Sequence, residues 1–266
     1  MIHKATRTKD DAIDSDGFVA RAYFPGHLEP GNPDHGLGPL ATIMESFLAP
    51  GTHIKLHEHV VDEIVSWVPA GVMRHDDPKG GHLTVDADHL MVMNAGRGFR
   101  HEERTRDDDP PLRMLQIFVR PHAEGLEPGI QHGRLPVPLA NTWRDVFGPT
   151  GSEAPFHVRN AVLCRDIRLG AGATATVPTE PGHKTYFFVF EGCVSFDNQT
   201  FGEAESGLLG SLEGGGCVAH LGSAGSGAEQ HGGDGEGGEQ EAAGGHGCCS
   251  RDGWLGGKSR FSSRPA

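Results

Sequence analysis

The chain has 266 residues, of which 36% are hydrophobic and 7% aromatic, with 40 glycines and a formal net charge of −13. That size fits one large domain or two small ones. The acidic balance, with no long Lys/Arg run, argues against a surface made for nucleic acid or an anionic membrane.

Nothing at the N-terminus reads as a secretory signal, because MIHKATRTKDDAIDSDG has no apolar centre. No stretch approaches the roughly 18 apolar residues of a membrane span. The five cysteines follow no regular spacing, which fits reduced thiols and a cytoplasmic protein. Residues 1–19 read as an N-terminal extension. From there to about residue 145 the chain alternates short apolar runs with turn signals. The runs are LATIMESFLA (40–49), EIVSWV (63–68), HLTV (82–85), HLMVM (89–93) and RMLQIFV (113–119). Gly, Pro and Asp clusters separate them, and short strands at this spacing predict an all-β sandwich or barrel. NTWRDVFG (141–148) reads as one short helix capped by Asn141.

Residues 150–213 repeat the style, with AVLCRDIRL, TATV, KTYFFVFEGCVSF and GLLGSL as strands. EIVSWVPAGVMRHDD (63–77) aligns with TYFFVFEGCVSFDNQ (185–199), turn glycines Gly71 and Gly192 matching. DHLMVMNAG (88–96) aligns with SGLLGSLEG (206–214). The expectation is two tandem β-barrels, a first over 20–145 and a second over 150–213. From 214 onward almost no Val, Ile, Leu or Phe remains. Such a segment cannot bury enough apolar surface to offset its ordering entropy, so 214–266 reads as a disordered tail. The break falls where the second barrel needs closing strands, which predicts an incomplete barrel with an open edge.

The segment with chemical content is GTHIKLHEHVVDEIVSW, followed about forty residues later by NAGRGFRHEE. On a strand, side chains at i and i+2 share a face. A regular strand would point His57, His59 and Glu63 one way, with Val61, Val65 and Trp67 lining the same interior. His101 and Glu103 are likewise two apart, so neighbouring strands bring these donors to one point. Three imidazoles and a carboxylate suit a borderline divalent ion such as Fe, Mn, Ni, Cu or Zn. HxH alone carries little weight, since 17 histidines produce roughly one by composition. Single histidines such as His27, His35, His75, His82 and His89 read as solvated loop residues. His183 and His220 stand alone in the second half.

The order G–HxH–xxx–E–G followed by AGxGxxHxE resembles the metal-bearing N-terminal cupin of the pirin family. RMLQIFVRP (113–121) is similar to the family's Leu-x-x-Gln-Leu-Trp-Val strand, and RAYFPG and HGLGPL resemble its shorter bacterial branch. The likeness covers about 20–213 and is concentrated in 50–120. It implies an all-β fold of two cupin (jelly-roll) barrels, the second without metal. It also implies one divalent ion, iron first, held by His57, His59, His101 and Glu103, with Glu63 supporting the site. Two departures stand out. Glu58 replaces the usual Pro between the histidines, and Val60 and Val61 replace the Arg and Gly that commonly follow.

Two functions follow from the resemblance. One is a dioxygenase opening quercetin-like flavonols, with Glu103, or Glu63 nearby, taking the substrate's 3-hydroxyl proton. The other is a non-enzymatic, metal- or redox-dependent regulator that binds a protein partner, for which the acidic charge suits a basic surface. The default assembly is a monomer.

Overall fold

A computed structural model describes residues 2–5, 12–196, 198–209 and 216–224. Its strands are β1 (Ile2–Ala5), β2 (Ala12–Ser15), β3 (Phe18–Tyr23), β4 (Leu40–Leu48), β5 (His53–Ala70), β6 (Met73–Asp76), β7 (His82–Val85), β8 (His89–Arg104), β9 (Leu112–Val119), β10 (Gly129–Arg134), β11 (Arg144–Pro149), β12 (His157–Val158), β13 (Val162–Leu169), β14 (His183–Glu191), β15 (Val194–Phe196), β16 (Gln199–Phe201), β17 (Ser206–Leu209) and β18 (Gly216–Ala224). The described residues contain no α-helix, only a 3-10 turn at Pro25–Leu28.

The first lobe is a nine-stranded sheet, β2-β3-β4-β9-β5-β8-β6-β7, with β10 added on β8. The long strands β5 and β8 run antiparallel, and β9 flanks β5 on the other side. Their apolar runs are what Val-, Ile- and Met-rich sequence makes when both sheet faces are covered. Leu48, Val68, Met73, Val85, Met91, Leu112 and Met114 fill the lobe interior. A fully buried Leu, Val or Met contributes roughly 1.5–3 kcal/mol.

The second lobe is a seven-stranded sheet, β1-β17-β14-β18-β13-β11-β12, beside the hairpin β15-β16. The internal echo has a structural counterpart, since β14 pairs antiparallel with β17 as β5 does with β8. Gly71 and Gly192 both turn the chain at positive φ, 89° and 78°. A Cβ on Gly71 would lie 2.6 Å from Leu112 Cα, so this turn admits only glycine. One continuous core joins the lobes: Val65, Trp67, Leu115 and Ile117 of the first pack with Phe147, Tyr186, Phe188 and Phe190 of the second.

Four expectations are corrected. Residues 144–148 of the expected helix lie on β11, because Arg144 pairs with buried Asp166 of β13 while Asn141 turns at φ 58° and accepts a bond from the Gly170 N–H. TATV (174–177) is not a strand. Within residues 1–19, β1 pairs with β17 and β2 with β3, so this segment is built into both sheets. Finally, Gly216–Ala224 forms β18, parallel to both β13 and β14, and fills the middle of the sheet expected to lack closing strands. Backbone pairing needs no apolar side chain, which is why composition was blind to it. The remainder of the segment read as a tail, 225–266, lies outside the described residues.

Candidate metal centre

His57 and His59 sit on β5, and His101 sits opposite His57 on β8. The three rings converge, with centroids 4.4 Å apart for His57–His101, which are tilted at 51°, and 4.9 Å for His57–His59 and 5.2 Å for His59–His101, which meet edge to face. One nitrogen from each lies within 4.8 Å of the other two, and among the described residues no other His, Cys, Asp or Glu group meets this condition. His101 is 1% exposed, whereas His57 and His59 are half-buried. The cluster therefore has a buried floor and a side open to solvent.

The protons are placed by the neighbours. The Lys55 carbonyl can only accept, so His57 Nδ1–H donates to it at 2.9 Å, which leaves Nε2 with its lone pair. His101 Nδ1 is 2.9 Å from Nδ1 of His75. His101 Nε2 is buried and has no hydrogen-bond partner among the described residues. Burial, then the neighbouring His57, holds His59 down at about 4. Burial, then His57, His75 and His59, holds His101 down to about 2. Both rings are thus neutral at pH 7, the form that a metal needs.

Glu103, on the His101 side of β8, is buried but lies outside the three-histidine group. Gln116 Nε2 donates to its Oε1 at 2.9 Å. Burial pushes this carboxyl up to about 7, against the opposing pull of Gln116.

Glu63 does not touch the histidines. Its carboxylate accepts the backbone N–H and the Nε–H of Arg159 in the second lobe. The cause is a β-bulge. The β5–β8 register shifts between His59 and Val61, and Val61 adopts φ 74°. Beyond it the alternation inverts. Ile64 joins Phe99 and Phe118 beside the His59 ring, whereas Val65 and Trp67 face the second lobe. In place of the expected interior of Glu63, Val61, Val65 and Trp67, Ile64 and Val68 join the apolar clusters of the first lobe. Even spacing predicts a common face only while the ladder is regular.

His75 is also corrected. It is fully buried on β6, two residues after the equally buried Met73, whereas His27, His35 and His82 are exposed as expected. Strand alternation from Met73 was the available signal. Gln116, a lone polar residue in the apolar run MLQIFV, was another.

Comparison with known proteins gives the same picture. The family model described as Pirin matches residues 14–119. The matched segment, which carries the histidine cluster, is similar to the pirin family. A Zymomonas mobilis relative, provisionally named a quercetin 2,3-dioxygenase, is 29% identical over 175 residues, covering 62% of this chain and 71% of its own. The Escherichia coli protein named quercetin 2,3-dioxygenase is 29% identical over 100 residues, 38% of this chain and 43% of its own. Among solved structures, GK1651 from Geobacillus kaustophilus superposes with a TM-score of 0.59 at 26% identity, covering 77% of this chain and 85% of its own. The E. coli pirin YhhW, solved in complex with nickel(II), gives 0.59 at 17% identity over 79% of this chain and 90% of its own, a likeness of fold. The architecture is the two-barrel cupin fold of pirins.

Proposed function

We propose that this protein is a pirin-like protein that holds one divalent metal ion, iron first, at His57, His59 and His101 with Glu103 as fourth donor, and that it is a dioxygenase acting on a quercetin-like flavonol. The observation that carries the metal reading is His101 Nε2, a buried nitrogen with no hydrogen-bond partner among the described residues, which faces two further imidazoles. An unpartnered buried nitrogen costs free energy comparable to a lost hydrogen bond, and a ligated ion removes that cost. Neutral imidazoles and a carboxylate form a donor set suited to iron and its borderline neighbours.

When bound, the ion supplies Lewis acidity and exchangeable positions for substrate and O₂. The chain does the rest. His101 fixes the buried side of the site, and the half-buried edges of His57 and His59 leave the solvent side open to a ligand. Ile64, Phe99 and Phe118 pack as an apolar cluster beside the His59 ring, surroundings that suit a planar aromatic substrate. Gln116 holds Glu103 Oε1, so Oε2 is the oxygen assigned to receive the 3-hydroxyl proton.

A second reading has its own observation. Leu56 and Val60, 42% and 52% exposed, flank the histidines on β5 and present apolar surface next to the site. Such flanks suit a metal-dependent regulator that docks a protein partner. No helix of the described residues is long and apolar enough to cross a membrane, and a cytoplasmic setting fits either reading.

Oxygen uptake with quercetin by iron-reconstituted protein, beside His101→Ala, tests the enzyme reading. Uptake in wild type that is lost in the variant supports it. One equivalent of bound metal without uptake transfers the site to the regulator reading, and no metal in either protein removes both.

A further inference from the structure

Resting on the metal-site reading above, we infer that His75 and Asp77 are positioning residues: they select the tautomer of His101 that presents a bare Nε2 to the metal. His75 reaches His101 with Nδ1 facing Nδ1 at 2.9 Å. Only one proton fits between two ring nitrogens at that distance, so two arrangements compete. If His75 donates, neutral His101 carries its proton on Nε2 and turns an N–H toward His57 and His59. That tautomer cannot ligate. If His101 donates, its Nε2 keeps the lone pair.

Asp77 decides between them. Its Oδ2 lies 3.5 Å from His75 Nε2, close enough to bias where the proton sits, and His75 Nε2 is buried with no hydrogen-bond partner among the described residues. A carboxylate only accepts, so it favours the proton on His75 Nε2. Neutral His75 then has its lone pair on Nδ1 and must receive the proton of His101. The carboxylate is itself fixed by the turn after β6, where the N–H groups of Lys79 and Gly81 donate to Oδ1 at 2.8 and 3.3 Å. Oδ2 is left for His75. The same logic at His57 uses a backbone carbonyl instead.

The arrangement also explains why His75, though buried beside the cluster, is not a fourth ligand. One nitrogen faces His101 and the other faces Asp77. Outer groups of this kind fix ring orientation and raise ligand basicity, and losing one weakens metal binding by roughly 10–100-fold.

Two measurements test the proposal. In metal-free wild type with ¹⁵N-labelled histidine, NMR should show His101 protonated on Nδ1 and His75 on Nε2. Finding His101 protonated on Nε2 overturns the relay regardless of how any variant folds. Cobalt(II) titration, followed by visible absorption, should then give affinities roughly 10–100-fold weaker in Asp77→Ala and His75→Phe. His75→Gln, whose amide oxygen can accept from His101, should recover part of the loss. Unchanged affinity and an unchanged spectrum in both deletions also overturn it. Wild type that binds no cobalt(II) while showing the assigned tautomers sinks the metal reading and leaves the hydrogen-bond relay standing.

Discussion

Arg159 donates twice to the carboxylate of Glu63, once from its backbone N–H and once from Nε, and so ties the first lobe to the second. Glu63 is fully buried, whereas the Arg159 side chain is 21% exposed. Removing the arginine therefore strands a buried charge. Arg159→Ala should cost about 3–5 kcal/mol in urea unfolding, with metal stoichiometry intact. Loss of metal without loss of stability would return Glu63 to the histidines.

Val61 is a β-branched residue held at φ 74°, in the bulge that aims His59. Left-handed geometry costs an L-residue roughly 1–2 kcal/mol, and glycine gives back about 0.5–1 through unfolded-state entropy. Val61→Gly should therefore stabilise the protein by up to about 1 kcal/mol and leave metal binding unchanged. A destabilised variant would show that Val61 packing outweighs its backbone strain.

Replacing His57 and His59 together by Ala should abolish stoichiometric metal, read by elemental analysis. Glu58→Ala should retain it. Glu58 is exposed, between His57 and His59 in the sequence of β5. Metal lost from Glu58→Ala would mean that the strand presents its other face to the ion.

The metal-free protein should show opposing pH effects. His59 and His101 ordinarily titrate at 6.5 but are held near 4 and 2 in the fold. Between those values and 6.5 the unfolded chain binds more protons, so their contribution makes stability rise with pH. Glu103 moves from 4.5 to about 7, so across that window the folded chain keeps a proton that the unfolded chain has lost. Its contribution makes stability fall. Glu103→Gln, followed by thermal unfolding with chelator present, should gain on wild type as pH rises from 4.5 to about 7 and hold that gain above it. His101→Gln should flatten the acid side. A constant difference between Glu103→Gln and wild type at every pH would contradict the shift.

What the sequence revealed depends on how locally each feature is encoded. LATIMESFLA and RMLQIFV delimit β4 and β9 to within a residue, because apolar runs bounded by turns depend on little else. The HxH and HxE spacings brought His57, His59 and His101 together for the same reason. Glu63 was misplaced because a bulge is set by the register with β8, which spacing does not record. The stretch 141–148 has a helix-capping signal, but pairing with β13 and the Arg144–Asp166 contact override it. His75 could be read as buried from its alternation with Met73. Its partner could not, since His101 meets it only through the pairing of β6 with β8.

The order in which the strands leave the ribosome differs from the order in which they pair. All nine strands of the first lobe, with the histidine cluster, have been made once Arg134 is in place. The second sheet cannot close until Gly216–Ala224 emerges to enter between β13 and β14, and Ile2–Ala5 must wait for Ser206–Leu209. Until β14 has been made, Val65 and Trp67 lack Tyr186, Phe188 and Phe190, their partners in the shared core. The nascent protein thus has its histidine cluster assembled while one apolar flank is still bare. This is the interval in which chaperones would have the most to hold and aggregation the most to gain.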